Sequence, residues 1–160
     1  FEDQIPTSEN IARVLWDKLQ AQPDIGTLQR LSLYEDEDLC ADLTAEAGPE
    51  VASVTRRYSF TAVHDGHRGH TWDLFVSVHG PIDRETGMVT DIVALDHLLK
   101  ERVLVPFDGR DLRMVLATPS VTGEYLAKAV WDRIVSAIPA GTLQLVKLVQ
   151  TRDLFYEYAG

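Results

Sequence analysis

The sequence predicts an α+β fold in which helices pack against an antiparallel β-sheet. Alternating polar and apolar residues from Tyr58 to Val78 predict a β-hairpin, and apolar residues at helical spacing after Pro6 predict an amphipathic helix. The beginning of the chain also recurs near its end at a constant offset of 115 residues, which carries Trp16 onto Trp131. With 160 residues, 45% of them hydrophobic, the chain is long enough for one domain or two small units.

The first elements are predicted to be a helix and two strands. The capping signal in Pro6–Asn10 opens the helix, and Pro23 ends it. Residues 27–35 alternate as a strand, and an acidic turn leads into a second strand at residues 39–43. Residues 44–53 hold a Gly-Pro pair between acidic flanks and are predicted to be a linker.

The predicted hairpin carries three of the five histidines. His64 and His70 fall on the same face by alternation, whereas His67 falls in or beside the turn marked by Asp65-Gly66. Neutral imidazole is a good zinc ligand, and a catalytic zinc takes about three protein ligands. The spacing alone leaves two alternatives open, a divalent metal site and a polar hairpin end with solvated histidines.

The hairpin is followed by a turn-rich passage that begins at residues 79–81. A helix is then predicted from Ile92 to Arg102, and the Pro106–Gly109 segment is expected to break it. Residues 122–154 repeat the first helix and strands, because Gly26–Gln29 matches Gly141–Gln144 in the 115-residue register.

This repeat predicts how the chain is divided. Residues 1–43 form the C-terminal half of a first unit, residues 44–53 a linker, and residues 54–160 a complete second unit. A half unit would leave a sheet edge unpaired, and proteins normally cover such edges. We therefore expect the N-terminal half of the first unit to exist, either on the same gene product or on a second chain.

Charge and composition exclude several classes of function. The formal charge of -10 argues against nucleic acid as a partner, because that affinity comes mainly from Lys and Arg. Cys40 is the single cysteine, so no intrachain disulfide can form, and no apolar run approaches the roughly 20 residues of a membrane span. We expect a cytoplasmic protein without membrane partners.

Several motifs together resemble one enzyme family. They are Phe60–His64, Gly69–Trp72, Thr86–Asp91, and Pro6–Asn10 with its weaker copy Thr122–Tyr125. The chain resembles the family of 6-pyruvoyl-tetrahydropterin and 6-carboxy-tetrahydropterin synthases, as a degenerate tandem member. This resemblance implies the tunnelling fold (T-fold), a four-stranded antiparallel sheet with two helices on one side.

The resemblance also implies a zinc site. His64 matches the family's first zinc histidine and His70 the third. The second position is Arg68, whose protonated guanidinium cannot coordinate zinc, so His67 is the remaining candidate. The loop that carries the family's catalytic cysteine is reduced here to Asp65-Gly66.

Further site residues follow from the same resemblance. Asp108 matches one member of a proton-relay pair whose histidine is replaced by glycine. Gln150 and Thr151 stand at the position of the pterin anchor in the second unit. In the first unit Glu35 stands at this anchor position, and the expected supports of its pocket are Thr7 and Glu9.

The resemblance implies a carbon-oxygen lyase that acts on 7,8-dihydroneopterin triphosphate or a related reduced pterin. The units are expected to form a homo-oligomer through their sheet edges, with active sites at the seams. One alternative is a catalytically inactive T-fold paralogue that serves as a structural or ligand-binding module. A third possibility is a purine-like ligand, because the Gln150 amide suits an oxo-purine edge.

Overall fold

A computed structural model describes residues 4–64 and 69–160 of the chain. Six strands form one antiparallel sheet, and their order in space is their order in the chain. The strands are β1 (Arg30–Tyr34), β2 (Leu39–Thr44), β3 (Val51–Ala62), β4 (His70–Pro81), β5 (Thr142–Thr151) and β6 (Leu154–Tyr158). The predicted combination of helices with an antiparallel sheet is confirmed.

The helices cover one face of this sheet. They are α1 (Ser8–Gln20), α2 (Ile92–Leu99), α3 (Val105–Phe107), α4 (Leu112–Leu116) and α5 (Gly123–Ile134). A π-helical turn at Lys100–Leu104 joins α2 to α3, and a 3₁₀ turn at Val135–Ala137 follows α5. Within residues 4–64 and 69–160, no helix has the length and apolar character needed to cross a membrane.

A single hydrophobic core lies between the helices and the sheet. Trp72, Leu74 and Val76 alternate along β4 onto the helix side and are almost completely buried. The other face is polar, with Thr55, Ser77 and Arg57 among its side chains. The period-2 pattern that predicted the hairpin therefore also separates a buried face from a solvated one.

The sheet has six strands, because the β1–β2 hairpin pairs with the four strands β3–β6 that were predicted for the second unit. Strand β2 pairs with β3 from Leu39 opposite Arg56 to Asp42 opposite Ser53. Strand β3 begins at Val51, inside the predicted linker, and its first residue pairs with Pro81. Strand β4 thus continues through residues 79–81, where a turn was expected.

The helical path also extends further than predicted, through Pro106. Proline cannot donate a backbone hydrogen bond to the carbonyl four residues earlier, which here belongs to Arg102. That carbonyl instead accepts from Nη1 of Arg133 on α5 at 3.1 Å. The guanidinium of Arg133 also lies 4.7 Å from the ring centroid of Phe107. A long-range contact thus compensates for the proline, and the helix ends at Phe107.

Candidate functional site

The first group of predicted site residues surrounds the N-terminus of α1. Thr7 is the N-cap, and its Oγ1 accepts a hydrogen bond from the backbone N–H of Asn10 at 3.2 Å. Ser8, the first helical residue, donates from Oγ to Oε2 of Glu35 at 2.7 Å. Glu35 directly follows β1, and its side chain is exposed. The hydroxyl of Ser8 thus orients an exposed carboxylate at the strand end.

Glu9 performs a different task, because its side chain is only 5% exposed. Its Oε1 accepts from the backbone N–H of Val89 at 3.1 Å. Burial is the main reason why the pKa of Glu9 is raised above 4.5, and the nearby Glu35 carboxylate adds to this effect. Glu9 therefore fastens α1 to the loop after β4.

The same loop is held at a second point by Thr7, whose hydroxyl donates to the carbonyl of Gly87. Gly87 has a φ of +72°, and a Cβ there would lie 2.4 Å from Nδ2 of Asn10. Glycine is thus required both for the backbone conformation and for the close approach of the helix. The motif at residues 86–91 and the motif at residues 6–10, which are far apart in the sequence, are therefore in direct contact.

The second group of predicted site residues lies at the turn end of the β3–β4 hairpin. The ring centroids of His64 and His70 are 6.4 Å apart and nearly perpendicular. Trp72 packs against both, with centroids 5.3 Å from His64 and 5.2 Å from His70. The predicted proximity of these two histidines is therefore present, whereas His67 and Arg68 lie outside the described residues.

The zinc prediction can be tested against these donors. A catalytic zinc takes about three protein ligands. Within residues 4–64 and 69–160, no group of three His, Cys, Asp or Glu side chains is arranged to hold a metal ion. In addition, Nε2 of His70 is 2.7 Å from the backbone carbonyl oxygen of Gln150, so this nitrogen is engaged as a donor. The described residues do not complete a zinc site.

Asp108 lies beside the end of β3. Its Oδ1 accepts from the backbone N–H of Thr61 at 2.8 Å, and the N–H of Gly109 donates to the Thr61 carbonyl at 2.6 Å. Val63 continues this pairing with Arg110. The carboxylate predicted to carry protons thus also holds the backbone of the strand that leads to His64.

Gln150, the predicted anchor residue of the predicted second unit, is bonded to a neighbouring side chain. Oε1 of Gln150 accepts a hydrogen bond from the Tyr156 hydroxyl at 3.2 Å. Thr151, next to it, is exposed at the end of β5 and pairs with Leu154. The amide that sequence analysis assigned to a ligand is therefore bonded to a residue of the same chain.

The two groups do not meet within one chain. Glu35 donates its backbone N–H to the carbonyl of Leu39, and Leu39 pairs with Arg56 of β3. His70 pairs with Ala62, six positions further along that strand. At roughly 3.3 Å per residue this is a separation of about 20 Å along the strand direction alone. The carboxylate and the imidazoles thus belong to separate places on the sheet.

The sequence model of the family described as 6-pyruvoyl tetrahydropterin synthase matches residues 1–46 and 53–160. The chain belongs to this family. Among curated proteins it is similar to the 6-pyruvoyl tetrahydrobiopterin synthases of Pongo abelii, at 32% identity over 134 residues, and of Homo sapiens, at 31% over 134 residues. Each of these alignments covers 68% of this chain and 92% of the relative.

A solved structure supports the fold of this family member. The 6-pyruvoyl tetrahydropterin synthase of Caenorhabditis elegans superimposes with a TM-score of 0.63 at 23% identity, covering 69% of this chain and 96% of that one. A likeness at this identity is evidence for the fold alone. It confirms the T-fold that the motifs implied.

Three side chains in these groups were missed by sequence reasoning about this family member. They are Ser8, which orients Glu35; Trp72, which packs against both histidines; and Tyr156, which bonds to Gln150. Trp72 was treated only as part of the strand alternation. Tyr156 could have been found by comparing the repeat copies, because the 115-residue offset aligns this large side chain with the small Ala41.

Proposed function

We propose that this chain is a pterin-binding synthase-type enzyme, a carbon-oxygen lyase that acts on 7,8-dihydroneopterin triphosphate or a related reduced pterin. The family membership supports this class of reaction. The observation that carries the assignment is the Glu35 carboxylate, which is exposed at the end of β1 and oriented by the Ser8 hydroxyl. A pterin presents a guanidine-like edge, and a carboxylate is the acceptor that suits paired N–H donors.

The other residues of this group have supporting roles in the proposal. Thr7 and Glu9 fix the first turn of α1 against residues 87–89, and Ser8 lies between them in that turn. The position of the Ser8 hydroxyl therefore depends on both contacts. A carboxylate held in this way loses little side-chain freedom when a ligand binds.

The distance between Glu35 and the histidines has a consequence for assembly. Because one chain separates them by several strands, we propose that a complete site forms at a seam, with Glu35 from one copy and the hairpin end of another. In the described part of the chain, β1 pairs with β2 alone and β6 with β5 alone, so both sheet edges are available for such contacts.

Glu35→Gln tests the anchor role. We expect the dissociation constant for 7,8-dihydroneopterin, measured by calorimetry, to rise by roughly tenfold, since a neutral amide cannot form the charge-assisted pair. Glu46→Gln is the matched control, because it makes the same change at an exposed turn residue and should leave binding unchanged.

Three outcomes would contradict this proposal. Equal binding by both variants would remove Glu35 from the site. Tighter binding of guanine or xanthine than of the pterin would favour the purine-like ligand. A chain that binds 7,8-dihydroneopterin triphosphate without converting it would correspond to the inactive T-fold paralogue.

The zinc site remains a proposal with its own test. His64 and His70 would supply two ligands, and the third would come from His67 or from another copy. Metal content per chain is measured by elemental mass spectrometry on the assembled protein, with His64→Ala and His70→Ala beside it. We expect zinc near one per chain that is lost in both variants, because two remaining ligands hold zinc weakly. Zinc retained in both variants would exclude these histidines as ligands.

A further inference from the structure

The anchor position occurs twice in this chain, and the two copies can be compared residue by residue. The cross-strand pair Leu33–Ala41 in β1–β2 corresponds to the pair Leu148–Tyr156 in β5–β6 at the 115-residue offset. The same offset carries Glu35 onto Gln150. The two hairpins therefore have the same register as far as Tyr34 and Val149. The β5–β6 pairing then shifts by one residue between Val149 and Thr151, so Gln150 corresponds to Glu35 as the residue that directly follows the matched part of the strand.

Three positions differ together between the copies. The first helical residue is Ser8 in α1 and Gly123 in α5, each directly after a threonine N-cap. In the first copy Ser8 bonds directly to Glu35, and the residue that corresponds to Tyr156 is the buried Ala41. The second copy has Gly123, Gln150 and Tyr156 at the corresponding positions.

Glycine at position 123 makes room for the tyrosine ring. A Cβ on Gly123 would lie 2.1 Å from both Cδ2 and Cε2 of Tyr156 and 2.4 Å from Cζ. The ring also packs against Trp72, with centroids 6.3 Å apart and planes inclined at 49°. Its hydroxyl reaches Oε1 of Gln150 at 3.2 Å. Backbone, an aromatic ring and an amide acceptor thus enclose one flat slot.

We propose that this slot is a second ring-binding site in which Tyr156 of the chain itself takes the place of a ligand. The site would take a neutral planar ring with one O–H or N–H donor directed at Gln150. A carboxylate at position 150 would be a poorer partner than the amide, because Gln150 and Tyr156 are half-buried and withdrawing a charge from water is costly. The identity of the ligand at Glu35 rests on the function proposed above. The presence of the Tyr156 ring beside Gln150 does not depend on that function.

The proposal implies that each chain has one anchor position that is free to bind a ligand, at Glu35, and a second, at Gln150, that is filled by the side chain of Tyr156. Removing the tyrosine ring should therefore create a cavity that accepts a small aromatic molecule. Buried apolar cavities left by truncated side chains can bind such molecules. The best probe is 4-methylphenol, which is the tyrosine side chain itself.

The test compares Tyr156→Ala with Tyr158→Ala on the full chain. Tyr158 lies on the same strand and face, but its ring packs on Trp131 rather than on a glycine. We expect Tyr156→Ala to bind 4-methylphenol saturably, with a rise in melting temperature, and to bind toluene at least fivefold more weakly because toluene has no donor. The parent chain and Tyr158→Ala should show neither effect. Adding Glu35→Gln should leave this binding unchanged, which separates it from the pterin site.

The other possible results for Tyr156→Ala either support or overturn the proposal. If Tyr156→Ala is folded by circular dichroism and does not bind 4-methylphenol, the slot is ordinary core packing and the proposal is wrong. If the variant folds only when 4-methylphenol is present, the probe has replaced the missing ring and the proposal is supported. If it fails to fold with and without the probe, the proposal is overturned as well.

Discussion

Gly123→Ala is expected to lower the free energy of unfolding by about 3 kcal/mol, at the upper end of the range for overpacked cores. The new Cβ would lie 2.1 Å from two ring atoms of Tyr156, and the ring is held between Trp72 and Gln150. Neither the ring nor the helix can therefore yield easily. In an ordinary first turn the same substitution would be mildly favourable, because alanine loses less backbone freedom than glycine. Urea unfolding measures the difference.

The loss should disappear when Tyr156→Ala is introduced as well. Residues in contact give non-additive effects, so a double-mutant cycle should show a coupling of about 3 kcal/mol. Ser8 occupies the corresponding position in α1, which indicates that a side chain fits there when no ring is present. Gly69→Ala is the control, because its Cβ would meet only Thr61 Cγ2 at 3.5 Å. Additive effects of Gly123→Ala and Tyr156→Ala would mean that the ring is not fixed on the glycine.

Local patterns predicted those parts of the fold that depend on local interactions. The cap at Thr7 and the apolar spacing after it gave α1, and alternation gave the β3–β4 hairpin. The end of the helical path was mispredicted, because the carbonyl left open by Pro106 is satisfied by Arg133, a partner 31 residues away from Arg102. The pairing of β2 with β3 is likewise a long-range contact, and the alternation of residues within either strand does not predict it.

The candidate site residues could likewise be predicted only in part from the sequence. Sequence motifs pointed to Glu35 and the two histidines as candidates, but not to the distance between them, which depends on how one hairpin is registered against the next. Nor could they reveal that Gly87 and Asn10 touch, because this contact links residues 77 positions apart. The repeat offset draws attention to Tyr156, but the contacts of its ring with Gly123 and of its hydroxyl with Gln150 are known only from the structure.

Removing the buried carboxylate of Glu9 is also expected to lower the free energy of unfolding substantially. Glu9→Ala should lower the free energy of unfolding by about 2 kcal/mol, because the backbone N–H of Val89 loses its acceptor in a closed site. Glu9→Gln should lose less, since an amide oxygen can still accept from Val89. Glu124→Ala is the matched control, because Glu124 has the equivalent position in the first turn of α5 but is exposed. Both glutamates interact with their helix dipoles, so the difference between the two alanine variants isolates the contact with the loop.

The effect of pH on the free energy of unfolding should reveal the buried carboxylate of Glu9 in a second way. The folded state raises the pKa of Glu9 above the unfolded value near 4.5, so folding favours its protonated form. The resulting stabilisation is complete below pH 4.5 and is lost as the pH rises through the folded pKa. Glu9→Gln cannot titrate, and its stability should therefore fall less than that of the parent chain over this interval, in urea unfolding at a series of pH values. If the two curves run parallel, the carboxylate of Glu9 is not desolvated in solution, and the loop after β4 is held to α1 by Thr7 and by packing against Gly87 instead.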